Sequence, residues 1–190
     1  MDVVFVSGKS GSGKSTFSRL LAERLNVKYV CVDDIAHSIY NESEVIKKVK
    51  ELYGEEVFEN NKVNTKKLGK IYFNERESER TKQFYAFTYE VMSKLIKKSM
   101  EGGAVIDWVL FPETELFKEN AVKVLVSAVN DEVRFKKIME RDNISYEYML
   151  SREKSCPKMV EEEFDYVVYN DYNGSLNEEV EKIAKLIKEK

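Results

Sequence analysis

The segment that most constrains this chain is Gly8-Lys9-Ser10-Gly11-Ser12-Gly13-Lys14-Ser15, which fits the phosphate-binding pattern G-x-x-x-x-G-K-[ST] at every fixed position. Val3 to Val6 precede it as a short β-branched and aromatic run, the pattern of a buried strand. Phe17, Leu20, Leu21 and Leu25 follow on one helical face. Strand, glycine loop and helix in that order supply a cradle for a triphosphate. The backbone N–H groups of Gly8, Ser10, Gly11, Ser12 and Gly13 would wrap the phosphates, and the helix would aim its positive end at them. Lys14 would reach the β- and γ-phosphates, the Ser15 hydroxyl would ligate Mg²⁺, and Thr16 follows in the same helical turn. The alternative is a glycine turn that merely joins a strand to a helix. The flanking elements favour a nucleotide site, but the motif alone does not say what is done with the nucleotide.

The remaining pattern predicts one α/β domain. Residues 28–32 read as a second strand ended by Asp33-Asp34, with a helix starting at Ile35. Residues 104–107 form a third short apolar strand that finishes on Asp107. Residues 122–126 and 165–169 are two more. Helical patterns lie between them at 132–141 and 145–155, and Ser175-x-x-Glu178 resembles a capping box before a closing helix with Leu176, Val180, Ile183 and Ile187 on one face. Strands alternating with helices predict a parallel five-stranded sheet covered on both faces, with its strand-ending acids at the edge where the phosphate loop lies. From 44 to 100 the chain reads as a mostly helical, heavily charged insertion. Its basic patches are Lys47, Lys48 and Lys50, then Lys66, Lys67 and Lys70, then Arg76, Arg80 and Lys82. Most of these would be solvated faces, and one or two turned to a cleft would suffice to hold an anionic acceptor.

Composition removes several function classes. A net charge of −3 provides no global field for nucleic acid, so an anionic ligand needs local basic clusters. Cys31 and Cys156 are far apart with no CxxC spacing, which argues against a structural disulfide or zinc site and makes the cytosol, hence a cytoplasmic location, the natural compartment. With one histidine, His37, a multi-histidine metal cluster is impossible. No secretory or membrane-spanning pattern is predicted. A switch GTPase would carry Asn-Lys-x-Asp after a late strand; Asn61-Lys62-Val63-Asn64 lacks the aspartate and follows no strand. A small kinase needs a core, an acceptor-binding insertion and an arginine-bearing lid, and the chain has room for all three. The partition predicted is core at 1–43, 101–136 and 161–190, insertion at 44–100 and lid at 137–160.

Several segments resemble one family, the dephospho-CoA kinases, in order and spacing. They are residues 30–37 around Asp33, Tyr53-Gly54-Glu55-Glu56-Val57-Phe58 with 64–73, residues 105–111 around Asp107, Arg141-Asp142-Asn143-Ile144-Ser145, and residues 164–170 followed by Gly174-Ser175-Leu176. The sequence departs from the family where Cys31 replaces the earlier acid of Asp-x-Asp, where residues 84–88 replace a His-Pro pair, where Val109 replaces a proline, and where a lid glutamine is missing near Ser155-Cys156.

The resemblance implies a phosphate-loop, nucleoside-monophosphate-kinase-like fold. It implies transfer of the γ-phosphoryl of ATP, with Mg²⁺, to the ribose 3′-hydroxyl of dephospho-CoA. Asp33 would orient that hydroxyl and take its proton, unless it or Asp34 serves only as a helix cap. Asp107 would hold the Mg²⁺ shell or cap a loop. Arg141 and Arg152 would close a lid on the phosphates or form surface ion pairs, with Arg134 and Lys137 weaker candidates. Asn170 would border the adenine. Tyr85 and Tyr89, off the core face of their helix, would line an acceptor cleft. The partners implied are small molecules, with no nucleic acid or membrane, acting on a monomer or small homo-oligomer. Other readings are a kinase of nucleosides or nucleotides, and an ATP sensor without turnover.

Overall fold

The computed structural model describes residues 3–75, 77–111, 114–115, 121–154, 156 and 158–189, without the side chains of Phe73 and Arg152. The chain divides into two compact units, Met1–Val32 with Ser99–Lys190, and Asp33–Lys98.

The first unit is built on a five-stranded sheet. Its strands are β1 (Val3–Ser7), β2 (Lys28–Cys31), β5 (Ala104–Asp107), β6 (Val122–Ala128) and β7 (Tyr166–Asn170), in the order β2-β5-β1-β6-β7 and all parallel. Parallel neighbours need crossovers, and here the crossover elements include α1 (Lys14–Leu25) and α6 (Asp131–Asp142). From β1 the chain passes to β2 on one side of the sheet, while β6 and β7 lie on the other. The end of β1 is therefore a topological switch point, where open α/β sheets bind ligands. Register sets the site: Val6 lies opposite Asp107, and Cys31 lies opposite the same Asp107.

Alternation along β1 divides its side chains between two apolar layers. Val4 and Val6 join Val105, Val124, Val126 and Val168 under α1 and α8 (Leu176–Lys188), which contribute Phe17, Leu21, Val180, Ile183 and Ile187. Phe5 points the other way and stacks flat on Phe111, ring centroids 3.9 Å apart. Truncating a fully buried side chain such as Leu21 to Ala costs about 2–5 kcal/mol, since close packing leaves the void unfilled.

Some boundaries differ from the sequence pattern. β2 stops at Cys31, and α2 (Val32–Ser38) starts three residues earlier than Ile35, because Val32 is fully buried and the acids Asp33 and Asp34 suit a first helical turn. Ser175 makes no side-chain cap; its hydroxyl donates to Asp171 Oδ1 at 2.7 Å instead. Asp165 lies just before β7, where its carboxylate accepts from the Lys123 amide at 2.8 Å.

The second unit packs α3 (Ser43–Tyr53), α4 (Thr65–Asn74) and most of α5 (Glu79–Met100) around Val45, Val49, Tyr53, Val57, Leu68, Phe84 and Val91. It also holds a two-stranded hairpin that the helical pattern hides, β3 (Phe58–Glu59) with β4 (Lys62–Val63). Asn60 and Asn61 turn it with φ of 50° and 60°, the paired positive values of a tight hairpin turn. Asn64 then caps α4, its side chain accepting from the amides of Lys66 and Lys67 at 3.1 and 3.0 Å. Within the basic patches, Lys48 pairs with Glu51 at 3.0 Å, Lys50 with Glu55 at 2.9 Å, and Arg80 with Glu75. Lys47, Lys66, Lys67 and Lys70 are exposed, and Arg76 lies outside the described residues.

Candidate active site

The loop from Gly8 to Gly13 leaves β1 across the end of β6. At Gly8 the backbone has φ 153°, and a Cβ there would collide with the carbonyl oxygen of Val126. Only glycine lets the loop pass so close to the neighbouring strand. The next turn is tied from outside through three consecutive carbonyls. Arg134 Nη1 donates to Ser10 O at 3.0 Å, Tyr172 Oη to Gly11 O at 2.9 Å, and Asn170 Nδ2 to Ser12 O at 2.9 Å. Ser15 and Thr16 are exposed in the first turn of α1. The Ser12 hydroxyl is buried with no hydrogen-bond partner and lines a hollow of about 110 Å³ bounded also by Lys9, Arg134, Met159 and Glu161.

Lys14, first residue of α1, forms an ion pair with Asp107 at the end of β5. Asp107 is 2% exposed. Its second oxygen accepts from Tyr29 Oη of β2 at 3.0 Å. Burial, together with the adjoining Asp107 carboxylate, pushes the Tyr29 phenol well above its ordinary value, so it remains a hydrogen-bond donor across the neutral range. The Arg19 guanidinium lies over the Tyr29 ring at 5.2 Å. Three elements thus place a lysine, a carboxylate and a phenol at the sheet edge beside the loop.

A second charged group stands on the other side. Arg134 of α6 is 1% exposed yet fully engaged, with Nη1 and Nη2 on the two oxygens of Glu153 at 2.9 and 2.8 Å and Nε on Asp131 at 2.7 Å. Glu153 belongs to α7 (Tyr146–Lys154) and also accepts from Lys9 at 2.7 Å. Burial works to raise the Glu153 carboxyl, but the hydrogen bonds from Arg134 and Lys9 outweigh it and hold the group below the usual carboxylate range. Arg134 is therefore a brace for the loop and α7.

Arg141, at the end of α6, chelates Asp142 at 2.7 and 3.0 Å and reaches Ser10 Oγ at 3.5 Å, which places a half-exposed guanidinium beside the loop. The side chain of Arg152 lies outside the described residues, as does Ser155. Asn170 is 4% exposed and committed at both ends, with Nδ2 on Ser12 O and Oδ1 accepting from the Tyr172 amide at 2.9 Å. Asp33 is exposed in the first turn of α2, two residues after Cys31. Among the described residues no group of three or more His, Cys, Asp or Glu could by itself hold a metal ion, and no helix is long and apolar enough to cross a membrane.

The family model described as dephospho-CoA kinase matches residues 2–174, which includes the phosphate loop, the second unit, α7 and β7. The chain belongs to the dephospho-CoA kinase family. A Campylobacter jejuni relative named dephospho-CoA kinase is 32% identical over 155 residues, covering 75% of this chain and 74% of the relative. In fold, the chain is similar to a crystal structure from Thermus thermophilus with a TM-score of 0.77 at 23% identity, covering 98% and 97% of the two chains. It is also similar to a Campylobacter jejuni dephospho-CoA kinase structure with a TM-score of 0.67 at 24% identity, covering 97% and 96%.

For a member of this family the residues present suit Mg²⁺. That ion takes hard oxygen donors, keeps several waters and relies on substrate phosphates for the rest, so it needs no protein cage. The hydroxyl of Ser15, next to Lys14 in the sequence, and the carboxylate of Asp107, paired with Lys14, are such donors. Tyr29, Glu153 and Tyr172 leave no local signal in the sequence. Their contacts join residues 78, 144 and 161 positions apart, and no local pattern reports such pairs.

Proposed function

We propose that this chain is a dephospho-CoA kinase, transferring the γ-phosphoryl group of ATP to the ribose 3′-hydroxyl of dephospho-CoA to form coenzyme A. The observation that carries this reading is the family match over residues 2–174, since it spans the segments that follow the phosphate loop as well as the loop itself. In the transfer the acceptor oxygen bonds to the γ-phosphorus as the bond to the β–γ bridging oxygen breaks, and ADP leaves. The transition state is loose, so the protein contributes position and charge. Lys14 offsets charge on the transferring group, and the loop amides hold the β- and γ-phosphates. Asp33 orients the hydroxyl and accepts its proton, a role that contributes about 10²–10⁴-fold. Arg141, already beside Ser10, turns its planar donors to phosphate oxygens. Bound Mg²⁺, held by Ser15 and through water by Asp107, would neutralise phosphate charge. The protein acts in the cytoplasm on small molecules.

An acceptor panel tests the reading. With ATP and Mg²⁺, dephospho-CoA gains one phosphate by mass spectrometry, and nucleosides, nucleotides and water do not. Phosphorylation of a nucleoside with dephospho-CoA unchanged would transfer the assignment to that acceptor class. ATP binding with no turnover on any acceptor would mark a sensor.

A further inference from the structure

A phosphate cradle works only if the loop's amides face inward, and that requires its carbonyls to face outward. Outward carbonyls that lie against protein need donors of their own, because an unpaired buried acceptor costs about 1–3 kcal/mol. In this chain the donors come from three places: Arg134 for Ser10, Tyr172 for Gly11 and Asn170 for Ser12. Tyr172 carries a second mark. Its backbone sits at φ 64°, in the left-handed region that costs an aromatic residue about 1–2 kcal/mol and that glycine or asparagine adopts readily. Asn170 holds that strained turn, accepting from the Tyr172 amide at 2.9 Å, and the Lys137 ammonium lies 5.3 Å from the Tyr172 ring centre. Strain kept at a turn beside a ligand loop is characteristic of a functional constraint.

We propose that Tyr172 is a positioning residue of the phosphate loop: its phenol, acting with Arg134 and Asn170, holds the carbonyls of Ser10, Gly11 and Ser12 outward so that the loop amides are set for the triphosphate. The ligand class is the phosphate chain itself, independent of the nucleoside and the acceptor. The inference rests on the kinase reading only in that a triphosphate is the donor, and its test uses no acceptor.

Calorimetric affinities for ATP and for inorganic triphosphate, both with Mg²⁺, are compared in the wild type, in Tyr172→Phe and in Tyr172→Asn. Phe removes the hydroxyl and keeps the ring. Asn removes the ring and suits the left-handed backbone. Both variants should bind both ligands about fivefold more weakly, the worth of one hydrogen bond, by the same factor for each ligand. Tyr172→Asn should show this loss without a matching fall in melting temperature, which a purely structural role would not produce. Wild-type affinity for inorganic triphosphate in both variants overturns the proposal. A loss for ATP alone overturns it too, because it would place the phenol at the nucleoside.

Discussion

Replacing Gly13 by alanine tests how closely the loop is built against β7. Gly13 caps α1 with φ 93° and ψ 4°. An L-residue there gives up about 1–2 kcal/mol, because its Cβ crowds the following carbonyl. That Cβ would also collide with the Asn170 amide nitrogen and lie 3.2 Å from Leu176 Cδ1. Leu176 can yield at the tip of its side chain. Asn170 is 4% exposed and must leave Ser12 O, which costs about 1–3 kcal/mol for a buried acceptor left unpaired. Lower freedom of the unfolded chain offsets about 0.4–1 kcal/mol. The net loss is about 1.5–4 kcal/mol, a fall in melting temperature of about 5–12 °C for a chain of this size. A double-mutant cycle with Asn170→Ala, read by thermal unfolding, isolates the collision. With the amide gone, Gly13→Ala should cost only its backbone share, leaving a coupling of about 1–3 kcal/mol. Losses that add to within about 0.5 kcal/mol would refute the packing argument.

Other perturbations probe the charges. Glu153 has its carboxyl held below the ordinary 4.5, so its stabilisation is complete above that pH and is lost as pH falls through the folded-state value. Glu153→Gln should therefore melt about 1–3 kcal/mol less stably at pH 7, with Arg134 left short of a charged partner, and should show a shallower decline below pH 4.5. Parallel pH profiles for the two proteins would remove Glu153 from that role. Asp33→Asn should retain ATP affinity by calorimetry and lose about 10²–10⁴-fold in kcat; full activity would exclude Asp33 as the base.

Much of this architecture is legible in the sequence because it is local. A β-branched run, a glycine loop and a helical stripe identify β1, the loop and α1, and short apolar runs identify the other four strands of the sheet. Asn60-Asn61 reads as a turn, but strands of two residues each are too short to show alternation, so the hairpin is hidden inside a helical pattern. The early start of α2 depends on burial of Val32, a tertiary fact. Within the site, Lys14 and Asp107 are readable by type and position, whereas the ion pair between them depends on strand order. Asn170 shows the limit most clearly. Resemblance sets it beside the nucleotide, and its side chain is spent on the loop backbone and the Tyr172 turn. Arg134, a weaker lid candidate in the sequence, is a buried brace; Asp131 is a local partner, but Glu153 and the Ser10 carbonyl lie 19 and 124 residues away in sequence.

The hydroxyl that receives the phosphate distinguishes this kinase from every other small-molecule kinase reading. The direct measurement supplies ATP and Mg²⁺ with dephospho-CoA, and in parallel with its 3′-deoxy analogue, and follows products by mass spectrometry and phosphorus NMR. Coenzyme A is expected from the first and no phosphorylated product from the second. Phosphorylation of the 3′-deoxy analogue, or no coenzyme A while another acceptor is phosphorylated, would contradict the assignment.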